Sequence, residues 1–460
     1  MMELYFRLIQ FSLGLYEGKE FLDGTALKDF DWKAFFDFVK KQTLVGIAMD
    51  GVQKLPKGVA PNENLLVIWF GLSHKLMMCN SILNKATVYV YKKIREAGYP
   101  CCILKGQGNA MLYPHPVSRT PGDVDVWVMA NREELRHIAL SLTEGDGSSL
   151  QESLNHIGLT VHGVSAELHS TPALLNSPLY NSRLQRWLKR NADLQCSNRI
   201  ALPNNAGEVA VPTLSFNIIY QLCHLFHHCF YEGVGLRQIV DYYFVLMNTD
   251  FSGNTDEASG NTDEGCLFLN TDFTDFTDKV SGNTDEDGVL SNTDFTDNTD
   301  RIGGNADGVD RRLLMNTDCT DFTDSSSGDF EGDGCLLNTD CADFLDSSSG
   351  GLGEVDSGGA LVALREELKW LGLGEFAGAV MYVLREVMGL DEKRMICAPD
   401  ERRGRLLLEE IMAGGNFGHY DTRNHFGQGA LWHNIQRFRR DWRMLRFYPS
   451  EALSEPLFRA

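Results

Sequence analysis

The chain has 460 residues, with 42 Lys and Arg against 63 Asp and Glu, for a net charge of −21. That charge is local: Asn248 to Gly358, where Asn-Thr-Asp recurs nine times, holds 27 acidic and 4 basic residues, which leaves a body of 349 residues with 38 basic and 36 acidic. The acidity therefore says nothing about the partners of the body, which is long enough for two or three domains with ordinary cores. The start, Met-Met-Glu-Leu-Tyr-Phe-Arg-Leu, lacks the basic stretch, apolar core and small-residue site of a signal peptide. No uninterrupted run of about 18 apolar residues suggests a membrane span. The 11 cysteines contain no C-x-x-C pair, which argues against a zinc ribbon or disulfide framework and for a reduced, cytoplasmic setting.

Residues 1–95 read as a helical domain. Trp32 to Val39 and Leu65 to Met78 place apolar residues three and four apart, and a further amphipathic segment runs from Ser81 to Ala97 and stops at Gly98. The pattern then changes. Pro100 to Leu104 is a short buried strand, Lys105 to Gly108 a tight turn, and Asn109 to Tyr113 a short helix closed by Pro114 and Pro116. Asp123 to Met129 is a second strand. Asn131 and Glu134 have the spacing of a capping box, opening a helix to about Thr143. Gly158 to Leu168 supplies further strand. Leu214 to Phe230, Leu236 to Leu246, Leu361 to Leu373, Glu375 to Met388 and Arg403 to Met412 read as helices, and Arg437 to Phe447 as a basic terminal helix.

The Asn-Thr-Asp segment has few aliphatic residues and a large uncompensated charge. It cannot bury enough apolar surface to offset the entropy of ordering it, so a disordered insertion is expected over 248–359. Asn283-Thr-Asp285-Glu-Asp287-Gly288 echoes half of a calcium loop, but Asp294 stands where such a loop has Glu and no flanking helices are evident. A solvated acidic tract is the preferred reading.

Chemistry concentrates at Gly122-Asp123-Val-Asp125. Residues i and i+2 of a strand project from one face, so Asp123 and Asp125 point into one site while Val124 and Val126 enter the core. Two acids so close repel each other, and a divalent cation relieves them. Two segments flank this pair in order: Ile103-Leu-Lys105-Gly106 and Ala166-Glu167-Leu-His169. Gly106 lets backbone approach a phosphate. Lys105 reads either as a phosphate-neutralising group or as a solvated turn lysine. Glu167 is suited to complete a metal cage or act as a base, and His169 shares its face.

This combination resembles the nucleotidyltransferase superfamily typified by DNA polymerase β. More closely, it resembles an uncharacterised bacterial nucleotidyltransferase family, through Leu104-Lys105-Gly106, Leu112-Tyr113-Pro114 with Arg119, Gly122-Asp123-Val-Asp125, Glu167-Leu-His169, Gly233-Val-Gly235-Leu-Arg237-Gln238 with Asp241, and Gly415-Asn-Phe-Gly418. The superfamily's glycine turn usually continues with Ser or Gly; here Gln107 and Gly108 follow.

The resemblance implies an α+β fold, in which a mixed-sheet catalytic core at 96–200 lies between an N-terminal helical domain (1–95) and a C-terminal one (205–247 and 360–460). It implies transfer of a nucleoside monophosphate from a nucleoside triphosphate, with Mg2+ or Mn2+ on Asp123, Asp125 and Glu167. Lys105, Gly106, Gln107, Gly108, Arg119, Gly122, His169, Arg237 and Asp241 would surround the nucleotide. The acceptor is open: a small molecule, a protein or an RNA end. No membrane partner is expected, and the basic terminal helix reads as a solvated face rather than a nucleic-acid surface. A non-catalytic nucleotide-binding or regulatory protein is the alternative. His224 and His228, one turn apart, read as a packed helical face, and Arg237 with Asp241 at i and i+4 as either an ion pair or a pocket wall.

Overall fold

The computed structural model describes residues 1–143, 145, 147–153, 156–251, 357–421 and 442–458. The expected insertion and its calcium-loop echo fall outside these residues almost entirely, as does the start of the basic terminal segment.

Five strands form a mixed sheet. They are β1 (Cys101–Ile103), β2 (Val124–Val128), β3 (Gln151–Glu152), β4 (His156–Val161) and β5 (Val164–His169), in the spatial order β1-β2-β5-β4-β3. Only β2 and β5 pair in parallel; the other neighbours are antiparallel. Between β1 and β2 lies α6 (Gly106–Ala110), and between β2 and β3 lies α7 (Arg132–Leu142). The capping box forms as the spacing predicts. The Asn131 side chain accepts from the Glu134 amide at 3.0 Å, and Glu134 accepts from the Asn131 amide at 2.8 Å.

The stretch from Gly158 to Leu168, read above as strand throughout, is a hairpin. His162 and Gly163 both take positive φ, +52° and +77°. Two such residues make a two-residue turn whose twist suits antiparallel strands. The chain reverses there, and β4 comes to lie beside β5.

Helices cover the sheet. Preceding it are α1 (Met2–Ser12), α2 (Lys19–Leu22), α3 (Trp32–Lys41), α4 (Val45–Val52) and α5 (Glu63–Glu96). The last joins the two amphipathic segments of the sequence into one 34-residue helix. By length and composition α5 qualifies to cross a membrane, yet Leu83, Val90 and Ile94 in its C-terminal half are buried against its neighbours. Following the sheet are α8 (Pro178–Ser197), a hairpin of β6 (Arg199–Leu202) and β7 (Gly207–Ala210), α9 (Leu214–Tyr231), α10 (Leu236–Asn248), α11 (Ser357–Trp370), α12 (Gly374–Met388), α13 (Glu401–Gly414) and α14 (Pro449–Phe458). Phe216 of α9 stacks between Trp127 of β2 and Trp187 of α8, at 5.8 and 4.6 Å between ring centroids. Trp127 shares the Asp125 face of its strand, so α9 lies over the acidic face of the sheet.

Segments far apart in sequence meet through buried side chains. Gln42, fully buried after α3, donates to the Ile411 carbonyl at 3.0 Å and accepts from the Leu236 amide at 2.9 Å. Lys41 donates to the carbonyls of Met412 and Ala413 at the C-terminal end of α13, where a cation is favoured.

Gln42→Ala would strand a buried N–H and a buried C=O and leave a void. We expect a loss of about 2–4 kcal/mol, read by chemical denaturation; a change below about 0.5 kcal/mol, the range of an ordinary surface substitution, would contradict this coupling.

Candidate active site

The site begins where β1 ends. The Leu104 amide donates to the Asp125 carbonyl at 2.9 Å, which carries the ladder one residue past the strand. Lys105 then takes φ +39° and ψ −139°, a backbone state that L-residues rarely occupy and that costs about 1–3 kcal/mol. This kink turns the lysine over the sheet, where its Nζ lies 3.0 Å from Asp125 Oδ2. Gly106 follows beside the backbone carbonyl of Asp123.

Register supplies the rest. Asp125 is the direct partner of Glu167, and Trp127 of His169. Oxygens of Asp123, Asp125 and Glu167 all lie within 4.8 Å of one another. The donors are hard carboxylate oxygens, the set that suits Mg2+ or Mn2+. His169 Nε2 stands between two of them, 3.1 Å from Asp125 Oδ1 and 3.2 Å from Glu167 Oε2.

The electrostatics follow from burial and crowding. Loss of water, with Asp125 and Glu167 alongside, pushes Asp123 up to about 7. Burial works the same way on Asp125, but Lys105 and His169 outweigh it and hold that carboxylate well below its usual range. For His169, burial opposes charge while hydrogen bonds to Asp125 and Glu167 favour it; the balance lifts the imidazole to about 9. Two cations thus offset the carboxylates at neutral pH.

Helix α9 closes the site from above. His224 Nε2 lies 3.2 Å from Lys105 Nζ and 2.9 Å from His228 Nε2. Burial and the Lys105 ammonium drive His224 far below the usual imidazole range, so it is neutral and accepts. The packed-face reading of His224 and His228 is thus incomplete: His224 touches the site lysine. Spacing within α9 held no signal for this, because the partner lies 119 residues away. His156, which sequence reasoning did not single out, lies 3.6 Å from Glu167 Oε1. Its signal was the Val161-His-Gly-Val164 turn, which fixes the hairpin register.

Not every candidate gathers at the acids. Helix α6 begins at Gly106, so the next side chains rotate away. Gln107 donates its side-chain amide to Asn84 on α5, and Gly108 packs against Val211. Neither of these two residues contacts the carboxylates.

Arg119, Arg237 and Asp241 instead secure the loop that delivers Gly122 and Asp123. Arg119 grips Asp241 in a buried two-point contact, Nε to Oδ1 and Nη2 to Oδ2, both 2.7 Å, and Tyr113 donates to the same carboxylate at 2.6 Å. The i, i+4 ion pair of Arg237 with Asp241 is displaced by this arrangement. Arg237 donates to the carbonyls of Thr120 and Pro121 at 3.1 and 3.3 Å. The two remaining glycine motifs meet alongside: a Cβ on Gly235 would fall 2.9 Å from Asn416 Cα, and one on Gly418 would fall 2.1 Å from the Glu232 carbonyl oxygen. Only glycine permits that approach.

Residues 28–258, half of the chain, match the sequence profile of a family described as uncharacterised nucleotidyltransferase. The matched span includes Lys105, Asp123, Asp125, Glu167, His169, Arg237 and Asp241. No functionally curated protein matches the chain. Among solved structures, an antigenic nucleotidyltransferase-like protein from Paracoccidioides brasiliensis is similar, at 16% identity over 36% of this chain and 77% of that one, with a TM-score of 0.25.

Asp123 gives a pH prediction for the metal-free protein. Its folded value, about 7, lies above the unfolded value of about 3.9. The folded state therefore holds a proton that the unfolded state releases, and stability falls as pH rises from about 4 through 7. Asn cannot ionise, so Asp123→Asn should match the parent near pH 4 and exceed it by about 1–3 kcal/mol at pH 8. Denaturation in chelator at both pH values measures this; a difference independent of pH would contradict it.

Proposed function

The chain belongs to this nucleotidyltransferase family, and from that premise we propose that it moves a nucleoside monophosphate from a nucleoside triphosphate to an acceptor hydroxyl or phosphate, in the cytoplasm, with release of pyrophosphate. The observation that carries the reading is the register of Asp125 with Glu167, which makes three carboxylates converge. Asp123, Asp125 and Glu167 would hold Mg2+ or Mn2+. When bound, such ions neutralise developing charge on the phosphates and favour in-line displacement.

The chain's own groups have distinct parts. With Asp125 serving as a metal ligand, Lys105, now 3.0 Å from that carboxylate, would be free to direct its ammonium to the phosphates. His224, which accepts from Lys105, keeps the ammonium on the sheet side of α9. Glu167 accepts the proton of an acceptor hydroxyl as the acceptor oxygen bonds to the α-phosphorus. The bond from that phosphorus to the bridging oxygen breaks, and pyrophosphate leaves with the electron pair. His169 holds Asp125 and Glu167 in position from their shared edge. Arg119, Asp241 and Arg237 act one layer back, by fixing the loop before Asp123.

One observation favours a second reading, a non-catalytic nucleotide-binding protein on the same fold. The residue after the glycine turn is Gln107, and its side chain is committed to Asn84, so it offers the phosphates nothing.

Incubation with each α-labelled nucleoside triphosphate, Mg2+ or Mn2+ and host extract separates the two. We expect a labelled product that falls by a factor of about 100 or more in an Asp123→Asn/Asp125→Asn protein. Equal label in that variant would contradict the site. Triphosphate binding without label under any condition would select the second reading.

A further inference from the structure

The β4–β5 hairpin carries a group of metal-ligating side chains that nucleotidyl transfer leaves unassigned. His156 and His169 are direct register partners, and Glu167 pairs with Gly158 two residues along. All three side chains therefore project from one face of one hairpin. His156 Nε2 lies 3.6 Å from Glu167 Oε1, His169 Nε2 lies 3.2 Å from Glu167 Oε2, and the two rings are 5.2 Å apart between centroids. One donor atom from each falls within 4.8 Å of the others.

Those separations have a meaning. An ion bonded tetrahedrally at about 2.0–2.1 Å holds its donors about 3.3 Å apart. The distances of 3.2 and 3.6 Å run to different oxygens of Glu167; with one donor per residue the three atoms lie within 4.8 Å of one another, so they would draw in by up to about 1.5 Å to close on an ion.

Ser153 prepares one ligand further. Its hydroxyl donates to the His156 carbonyl at 3.2 Å, and its oxygen lies 3.0 Å from His156 Nδ1. The same oxygen accepts from the His156 backbone amide at 3.2 Å. In the tautomer that carries its proton on Nδ1, the imidazole donates to Ser153 Oγ and its Nε2 lone pair faces Glu167. A hydrogen bond to the distal ring nitrogen is the usual support of a metal-binding histidine.

We propose that His156, Glu167 and His169 form a binding site for a first-row transition-metal ion, with zinc as the type case. Two imidazoles and a carboxylate suit zinc and its neighbours, whereas Mg2+ seeks oxygen donors. The His156 and Glu167 side chains remain 30% and 25% exposed, so the fourth position opens to water or substrate. Asp123 is no part of this site. Glu167 and His169 are shared with the three-carboxylate site: an ion on His169 Nε2 takes the place of the proton that this nitrogen otherwise donates to Asp125 and Glu167, and the inference rests on the transfer reading through those two residues.

The test uses metal-free, full-length protein, titrated with zinc against a chromophoric chelator, with circular dichroism to verify that each variant is folded. Wild-type protein should bind one zinc per chain far more tightly than Mg2+. His156→Ala should weaken zinc by about 10–100-fold, Ser153→Ala by about 10-fold, and Asp123→Asn by less than about threefold while losing Mn2+. His156→Asn replaces His156→Ala if the latter does not fold. Wild-type zinc affinity in the His156 variant would overturn the proposal, as would equal loss in Asp123→Asn. The assay needs no turnover. Zinc binding without nucleotidyl label therefore counts against the transfer reading alone, and label without zinc binding against this site alone.

Discussion

Three carboxylates brought onto one face of two neighbouring strands are the constraint on which the rest of this molecule depends. At separations up to 4.8 Å, each pair of full charges repels by about 3–4 kcal/mol at an effective dielectric constant near 20. Three such pairs approach the whole stability of a typical domain, about 5–15 kcal/mol. The fold answers with Lys105 and His169 inserted beside Asp125 and Glu167, and with an Asp123 that keeps its proton up to about pH 7. Each of these devices is what a divalent cation would replace. The strained backbone at Lys105 belongs to the same solution, because the kink is what brings its ammonium over the sheet.

A site under such repulsion needs a stiff frame, and the helices provide it through side chain to backbone contacts between distant segments. Gln42 joins α3 to α10 and α13. Glu451 of α14 accepts from the amides of Asn176 and Ser177, at 2.6 and 3.1 Å, just before α8, satisfying donors that a helix start leaves free. Arg119 and Asp241 link the loop before β2 to α10. Breaking one partner of such a buried pair typically costs about 3–5 kcal/mol, so this clamp fixes the acidic loop firmly without touching the acids.

Much of this was legible in the chain, for reasons that differ by element. The strand from Cys101 to Ile103 stands out as a buried apolar run between Pro100 and Gly106, and that from Val124 to Val128 as a valine-rich run opened by Pro121-Gly122, with Asp125 its one polar residue. The helix from Arg132 stands out because its cap is local. The three site segments were readable because each carries its chemistry within four residues. What failed to show depends on contacts between distant residues. The β4–β5 reversal rests on two residues, His162 and Gly163, in an otherwise strand-like stretch, and missing it hid His156. Helix α8 was missed because Pro178 opens it without a side-chain cap and its N-terminal partner, Glu451, comes from the far end of the chain. The separation of Gln107 from the acids could not be read at all, since it follows from where α6 starts and from Asn84 on another helix.

In the proposed function Asp123, Asp125 and Glu167 bind divalent metal together with a nucleotide. That binding is tested most directly by a crystal structure of the full chain grown with Mn2+ and a non-hydrolysable nucleoside triphosphate analogue, with manganese located by its anomalous signal. Manganese is expected between the three carboxylates, with triphosphate oxygens beside it and Lys105 turned from Asp125 to the phosphates. Nucleotide bound elsewhere, or carboxylates still paired with Lys105 and His169 and carrying no manganese, would contradict it.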